Sequence, residues 1–185
     1  MPKVQLHFTG DADADRFLAE EPLALLVGML LDQQVPMEWA FRSPWVLRER
    51  LGGRLDASDI AASDPDDLVA VFSAKPALHR YPGSMAKRVH TLCTHLVEHH
   101  GGRAEAVWEG APDGAALYDR VAALPGFGAQ KARIFVAVLG RRLGVRPSGW
   151  ERHAADWPSI ADVDAPGALE RVREAKAAWK AAQQP

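Results

Sequence analysis

The chain holds one cysteine, Cys93, in 185 residues. That scarcity excludes an intrachain disulfide framework, and one thiolate cannot hold a four-cysteine iron–sulfur cluster or a structural zinc ion. Strand signals are scarce as well: alternating β-branched runs are missing, apart from a short extended candidate at KVQLHF. Long apolar runs are also absent. The most apolar one, PLALLVGMLL, has about half of the ~20 residues a membrane helix needs, and the opening MPKVQLHFTGDADADRF lacks the apolar region of a signal peptide. These absences lead us to expect a soluble, cytoplasmic protein with no membrane partner.

One window of the chain is strongly basic. The net charge of −2 argues weakly against a polyanionic partner, and residues 1–70 carry six Lys/Arg against thirteen Asp/Glu. Residues 121–150, by contrast, carry Lys131, Arg133, Arg141, Arg142 and Arg146 and no acidic residue. A nucleic-acid contact, if there is one, is expected in that window.

What is present is helical punctuation, and the expected fold class is all-α. Pro22 suits a first helical turn, and the following run to Leu31 is apolar nearly all round, which predicts a central buried helix. EWAFRSPWVLRERLGG reads as a helix interrupted near Pro44 and stopped by Gly52 and Gly53. SDPDDLVAVFSA opens with Ser63 or Asp64 as cap and Pro65 behind it. In GSMAKRVHTLCTHLVEHHGG, Ser84 is the expected cap and Gly101–Gly102 the stop. DGAALYDRVAAL and AQKARIFVAVLGRRLG follow, and ALERVREAKAAWKAA closes the chain. Ser148 with Glu151 fits the S-x-x-E capping box of one more helix. His95 and His99 lie one turn apart, but no carboxylate or cysteine joins them at ligand spacing. The group with His90 and His100 is therefore read as a solvated face, with no metal site expected. Trp39, Trp45, Trp108, Trp157 and Trp179 are expected to pack in the core or between the lobes.

The sharpest local pattern is LPGFGAQKA, Leu124 to Ala132. Two glycines around one aromatic make a tight helix–helix turn in which both can take positive φ, Phe127 points inward and locks the helices, and the amides opening the next helix stay uncovered. Such amides, aided by the helix dipole, bind phosphate. Gly126, Gly128 and Gln130 would border that site, with Lys131 and Arg133 adding charge.

LPGFGAQKA resembles the helix-hairpin-helix motif of the helix-hairpin-helix/Gly-Pro-Asp superfamily of base-excision DNA glycosylases. LLVGMLLDQQVPMEWAF is similar to the buried helix and Gln-Gln turn of those enzymes, and YPGSMAKRVHTLCTHLVEHHGG to a later helix that ends in two glycines. The resemblance runs from about Leu23 to Trp150 and looks closest to a divergent, actinobacterial-type group of the superfamily. It implies one unit over residues 1–185, built as two helical lobes sharing a cleft, with the hairpin at about 115–140. It further implies a monofunctional DNA glycosylase acting in base-excision repair on double-stranded DNA with a damaged or mispaired base, associated with the nucleoid. In that reading Gln33 or Gln34 plugs the duplex, and the hairpin carbonyls offer a site for a monovalent cation. The alternative is a catalytically inactive lesion-binding module of the same fold.

The sequence departs from the family at two places. The catalytic aspartate, counted at family spacing from Leu124, falls on Ser148, whose hydroxyl cannot supply the Coulomb stabilisation of a carboxylate. The lysine nucleophile of the bifunctional members falls on Gln130, with Lys131 about one hundred degrees around the helix, so no lyase activity is expected. Any catalytic carboxylate must then come from elsewhere. Asp32, beside the two glutamines, is the first candidate and Glu151 the second, with Ser148 and Trp150 expected to line the base pocket.

Overall fold

The structure, a computed structural model, describes residues 3–185. All regular structure among them is helical. The N-terminal stretch KVQLHF forms no regular structure. It is followed by α1 (Ala12–Glu20), capped by Asp11, which accepts from the amides of Asp13 and Ala14. Then come α2 (Pro22–Leu31), α3 (Met37–Arg50), α4 (Ala57–Ala62), α5 (Pro65–Ser73), α6 (Pro82–His100), α7 (Gly114–Ala122), α8 (Ala129–Arg142) and α9 (Ala168–Ala182). No helix among the described residues is long and apolar enough to cross a membrane.

The central helix is α2, which begins at Pro22 and buries every residue from Leu23 to Leu31. It is enclosed by α3, α6 and the first turn after α6, while α1 packs on both α2 and α3. Gly28 is the crossing point with α3: a Cβ there would stand 2.6 Å from Phe41 Cδ1, so only glycine lets the two helices approach this closely. The second buried helix is α8, whose residues from Phe135 to Gly140 are all inside. It packs on α7 and on the two short 3-10 turns Trp150–His153 and Ile160–Asp162.

Three local expectations are corrected. Pro44 does not interrupt its helix, because it lies on the buried face of a continuous α3, and its neighbour Ser43 bonds Trp39 O at 2.9 Å and Leu78 O at 2.6 Å. Ser84 is not a cap: Pro82 takes the first turn two residues earlier, as its fixed φ allows. Ser148 and Glu151 form no capping box. Gly149, at φ +74°, begins that 3-10 turn without a side-chain cap, while the Ser148 carbonyl accepts the Gly114 amide at 2.8 Å. A capping box does form at Ser159 and Asp162.

Candidate functional site

The ends of the two buried helices meet. At Gly126 a Cβ would run into the Leu30 side chain, so the turn before α8 is pressed against the last turn of α2. Gly126 has φ +85° and needs glycine on both counts. Gly128 does not take the expected positive φ: it sits at −71°, an ordinary N-cap conformation, with open space where a Cβ would stand. Its contribution is an unshielded start to α8, which has no side-chain cap. Phe127 is buried and packs edge-on against Phe135 at 6.0 Å, as an inward lock requires. Gln130 is exposed on the first turn.

Lys131 does not face outward beside the hairpin. Its side chain turns in and donates to Leu30 O at 3.0 Å, a carbonyl at the negative end of the α2 dipole. Burial draws its ammonium down to about 8, against the opposing pull of the Asp32 carboxylate. Asp32 is the C-cap of α2 and half-buried. Burial pushes its carboxyl above the ordinary range, while the charges of Lys176, Lys131 and Lys180 act in the opposite sense. The junction thus joins an acid and an amine, both drawn toward their neutral forms by the same desolvation.

The two glutamines have different environments. Gln33 Nε2 donates to the same Leu30 carbonyl at 2.9 Å and its Oε1 accepts from Arg88 at 3.2 Å, so its amide is engaged within the fold. Gln34 is exposed and has φ +58°, a left-handed conformation among the described residues otherwise confined to glycine. Backbone strain at an exposed tip is characteristic of functional turns. The tip is held from below by buried His79. Its Nδ1 accepts the Tyr81 amide at 3.0 Å, which leaves the proton on Nε2 to be shared between Leu31 O at 3.1 Å and Gln33 O at 3.0 Å. Burial keeps this imidazole below its usual range, in the neutral form that arrangement requires. Trp39 stacks beside it at 6.4 Å and Tyr81 lies 6.1 Å away, and the two are 37% and 42% exposed. Trp39, expected in the core or between the lobes, therefore joins Tyr81 as a surface aromatic flanking the turn.

The basic window is largely consumed by the fold. Arg133 donates to Ala154 O at 2.9 Å and lies 4.9 Å over the Trp157 ring. Arg141 binds Asp162 at 2.8 Å and Ala155 O at 2.9 Å, and Arg146 binds Gly140 O at 2.8 Å. Neither Lys131 nor Arg133 is thus left as the free surface charge expected of it.

Three further expectations move away from the junction. The Trp150 ring covers Gly140, and its backbone would lie 2.5 Å from a Cβ on Gly114, so it fills the space between α7 and α8 as a packing residue. Gly140 is nine residues along α8 from Lys131, about 13 Å at helical rise. Ser148 precedes the turn that begins at Trp150, with its carbonyl held by the Gly114 amide, and Glu151 is exposed within it. A cavity of about 760 Å³ is lined by Val4, Leu6, Asp15, Arg16, Ala19 and Leu169 among others, and includes neither Asp32 nor any hairpin residue. His79, Arg88, Lys176 and Lys180 join the junction through tertiary contacts that no local sequence motif marks. For Lys176 a signal existed: Leu169, Val172 and Trp179 form an inward stripe of the last helix, and Lys176 interrupts it.

No protein-family model matches the chain, and no curated protein matches it.

Proposed function

We propose that the chain is a DNA-binding base-excision repair protein of the helix-hairpin-helix/Gly-Pro-Asp type, a monofunctional glycosylase in which Asp32 replaces the missing family aspartate. The observation that carries this reading is the contact between Leu30 and Gly126. It brings together the LLDQQ turn and the LPGFG hairpin, the two segments on which the resemblance chiefly rests, about one hundred residues apart in the chain. Two helical lobes with a shared cleft along this junction belong to the same reading.

In the proposed reaction the uncovered amides of α8 hold a backbone phosphate and Gln34 enters the gap left by the extruded nucleotide. The bond between C1′ and the base nitrogen breaks, the base departs with the bonding pair and acquires a proton, and water adds at C1′ with loss of its proton. Asp32 as carboxylate stabilises the positive charge that develops on the sugar, and its half-buried setting raises the value of that interaction. Raising its pKa opposes this role, and the three lysines that favour the ionised form counter it. Glu151, exposed in the 3-10 turn Trp150–His153, has no comparable setting.

The test is excision from a panel of lesion-bearing duplexes. Asp32→Asn should lower the rate by about 100-fold or more while leaving affinity within about threefold, because a group acting on developing charge contributes little to ground-state binding. Wild-type rates in Asp32→Asn would remove Asp32 from the chemistry. Binding without any excision by the wild type would establish the inactive lesion-binding module instead.

A further inference from the structure

A phosphate backbone needs cations that are not already committed, and those of residues 121–150 largely are. Free charge near the junction comes instead from α9. On this helix Arg173, Lys176 and Lys180 follow one another at i, i+3 and i+7 and share one edge, beside the apolar edge formed by Val172 and Trp179. The apolar edge is the anchor, since Trp179 stacks on Trp157 at 5.7 Å. The cationic edge faces α3 and the end of α2: Arg173 is ion-paired with Glu38, and the charges of Lys176 and Lys180 reach Asp32. Lys176 is half-buried in this position and Lys180 is exposed.

Charge around the junction is unbalanced. Arg173 answers Glu38, but Lys131, Lys176 and Lys180 all act on the single carboxylate of Asp32. Lys180 is exposed and Lys176 half-buried, and neither is ion-paired to a carboxylate among the described residues, so both ammonium groups are open to an added anion. Lys176 and Lys180 are one turn apart, about 6 Å along the axis, so two neighbouring anionic groups could be engaged together.

We propose that the Arg173–Lys176–Lys180 edge of α9 is a second phosphate-binding element, in which Lys176 and Lys180 hold adjacent phosphodiesters of the DNA strand whose nucleotide is presented to Asp32. This rests on the DNA-binding reading above. It assigns the backbone contact to the C-terminal helix in addition to the hairpin, and leaves Arg173 as the tie to Glu38.

The experiment compares the salt dependence of binding to an abasic-site duplex for the full chain, for Lys176→Gln/Lys180→Gln, for Lys176→Arg/Lys180→Arg and for Arg171→Gln on the opposite face of α9. Each neutralised phosphate contributes about 0.9 to the slope of log K against log salt. The double glutamine variant should therefore flatten the slope by roughly 1.8 and weaken binding at least tenfold at low salt. The arginine pair should restore both quantities, and Arg171→Gln should match wild type. A double glutamine variant with the wild-type slope overturns the proposal even if its affinity falls, since the loss would then not be of phosphate contacts. A wild type without salt-sensitive affinity overturns the DNA-binding reading itself, and this proposal with it.

Discussion

Lys131 is drawn in by the last turn of α2, and its protonation is linked to folding. Its folded pKa is about 8, below the ordinary 10.5, so between those values the unfolded chain binds more protons than the folded one. Stability must then rise with pH across this window, and the charged form is the one the fold disfavours. Lys131→Met cannot titrate. We predict that urea midpoints measured at pH 7 and pH 10 rise more for wild type than for Lys131→Met, and an equal change in both would show that the amine is not desolvated. Asp32 works the other way, because a raised carboxyl favours folding when protonated and loses that contribution as pH climbs through the folded value. Asp32→Asn should accordingly match or exceed wild-type stability at pH 7. That outcome, beside lost excision, would mark a residue kept for chemistry at the expense of the fold.

Within the hairpin the two glycines do different work, and they can be separated. Gly126 lies at φ +85° with Leu30 where a side chain would go, so Gly126→Ala should destabilise by about 1–3 kcal/mol in urea unfolding. Gly128 has ordinary dihedrals and open space around it. Serine is a better N-cap than glycine, so Gly128→Ser should keep or slightly raise stability. Its hydroxyl would occupy the amides proposed to hold phosphate, and DNA affinity should fall. Parallel loss or parallel gain of the two properties would disconnect the hairpin amides from binding. Elements of this kind were legible where the signal is local. Pro22 marks the start of α2, Asp64–Pro65 the start of α5, and the closing helix coincides with ALERVREAKAAWKAA. Signals that depend on tertiary competition were not: Pro44 remains helical, and Ser148 gives its carbonyl to Gly114 rather than its hydroxyl to a cap. The site divides in the same manner. Asp32, the glutamine turn and the hairpin can be read along the chain, whereas the inward turn of Lys131, the His79 support and the lysines of α9 depend on which carbonyls and carboxylates the fold brings near.

At the scale of the whole molecule, burial is concentrated in α2 and α8 and thins toward the C-terminus. All of α2 after Pro22 is inside, whereas only Ala168 and Val172 of α9 are fully buried. Local stability follows buried apolar contact, so α9 should open well below the free energy of global unfolding. Its further attachments include the Trp157–Trp179 stack and the Arg173–Glu38 ion pair, whose side chains are 40% and 37% exposed. An ion pair that open to water contributes at most about 1 kcal/mol, too little to alter the global fold but enough to matter for a lightly held helix. We therefore predict that in native-state hydrogen exchange the amides of residues 172–182 exchange ahead of those of residues 135–140. Glu38→Gln should accelerate the first set severalfold and leave the second set and the urea midpoint nearly unchanged. Uniform acceleration in both sets would mean that α9 unfolds only with the core. In that case its lysines would be part of a fixed wall, and bound DNA would slow exchange in α9 and in the core alike.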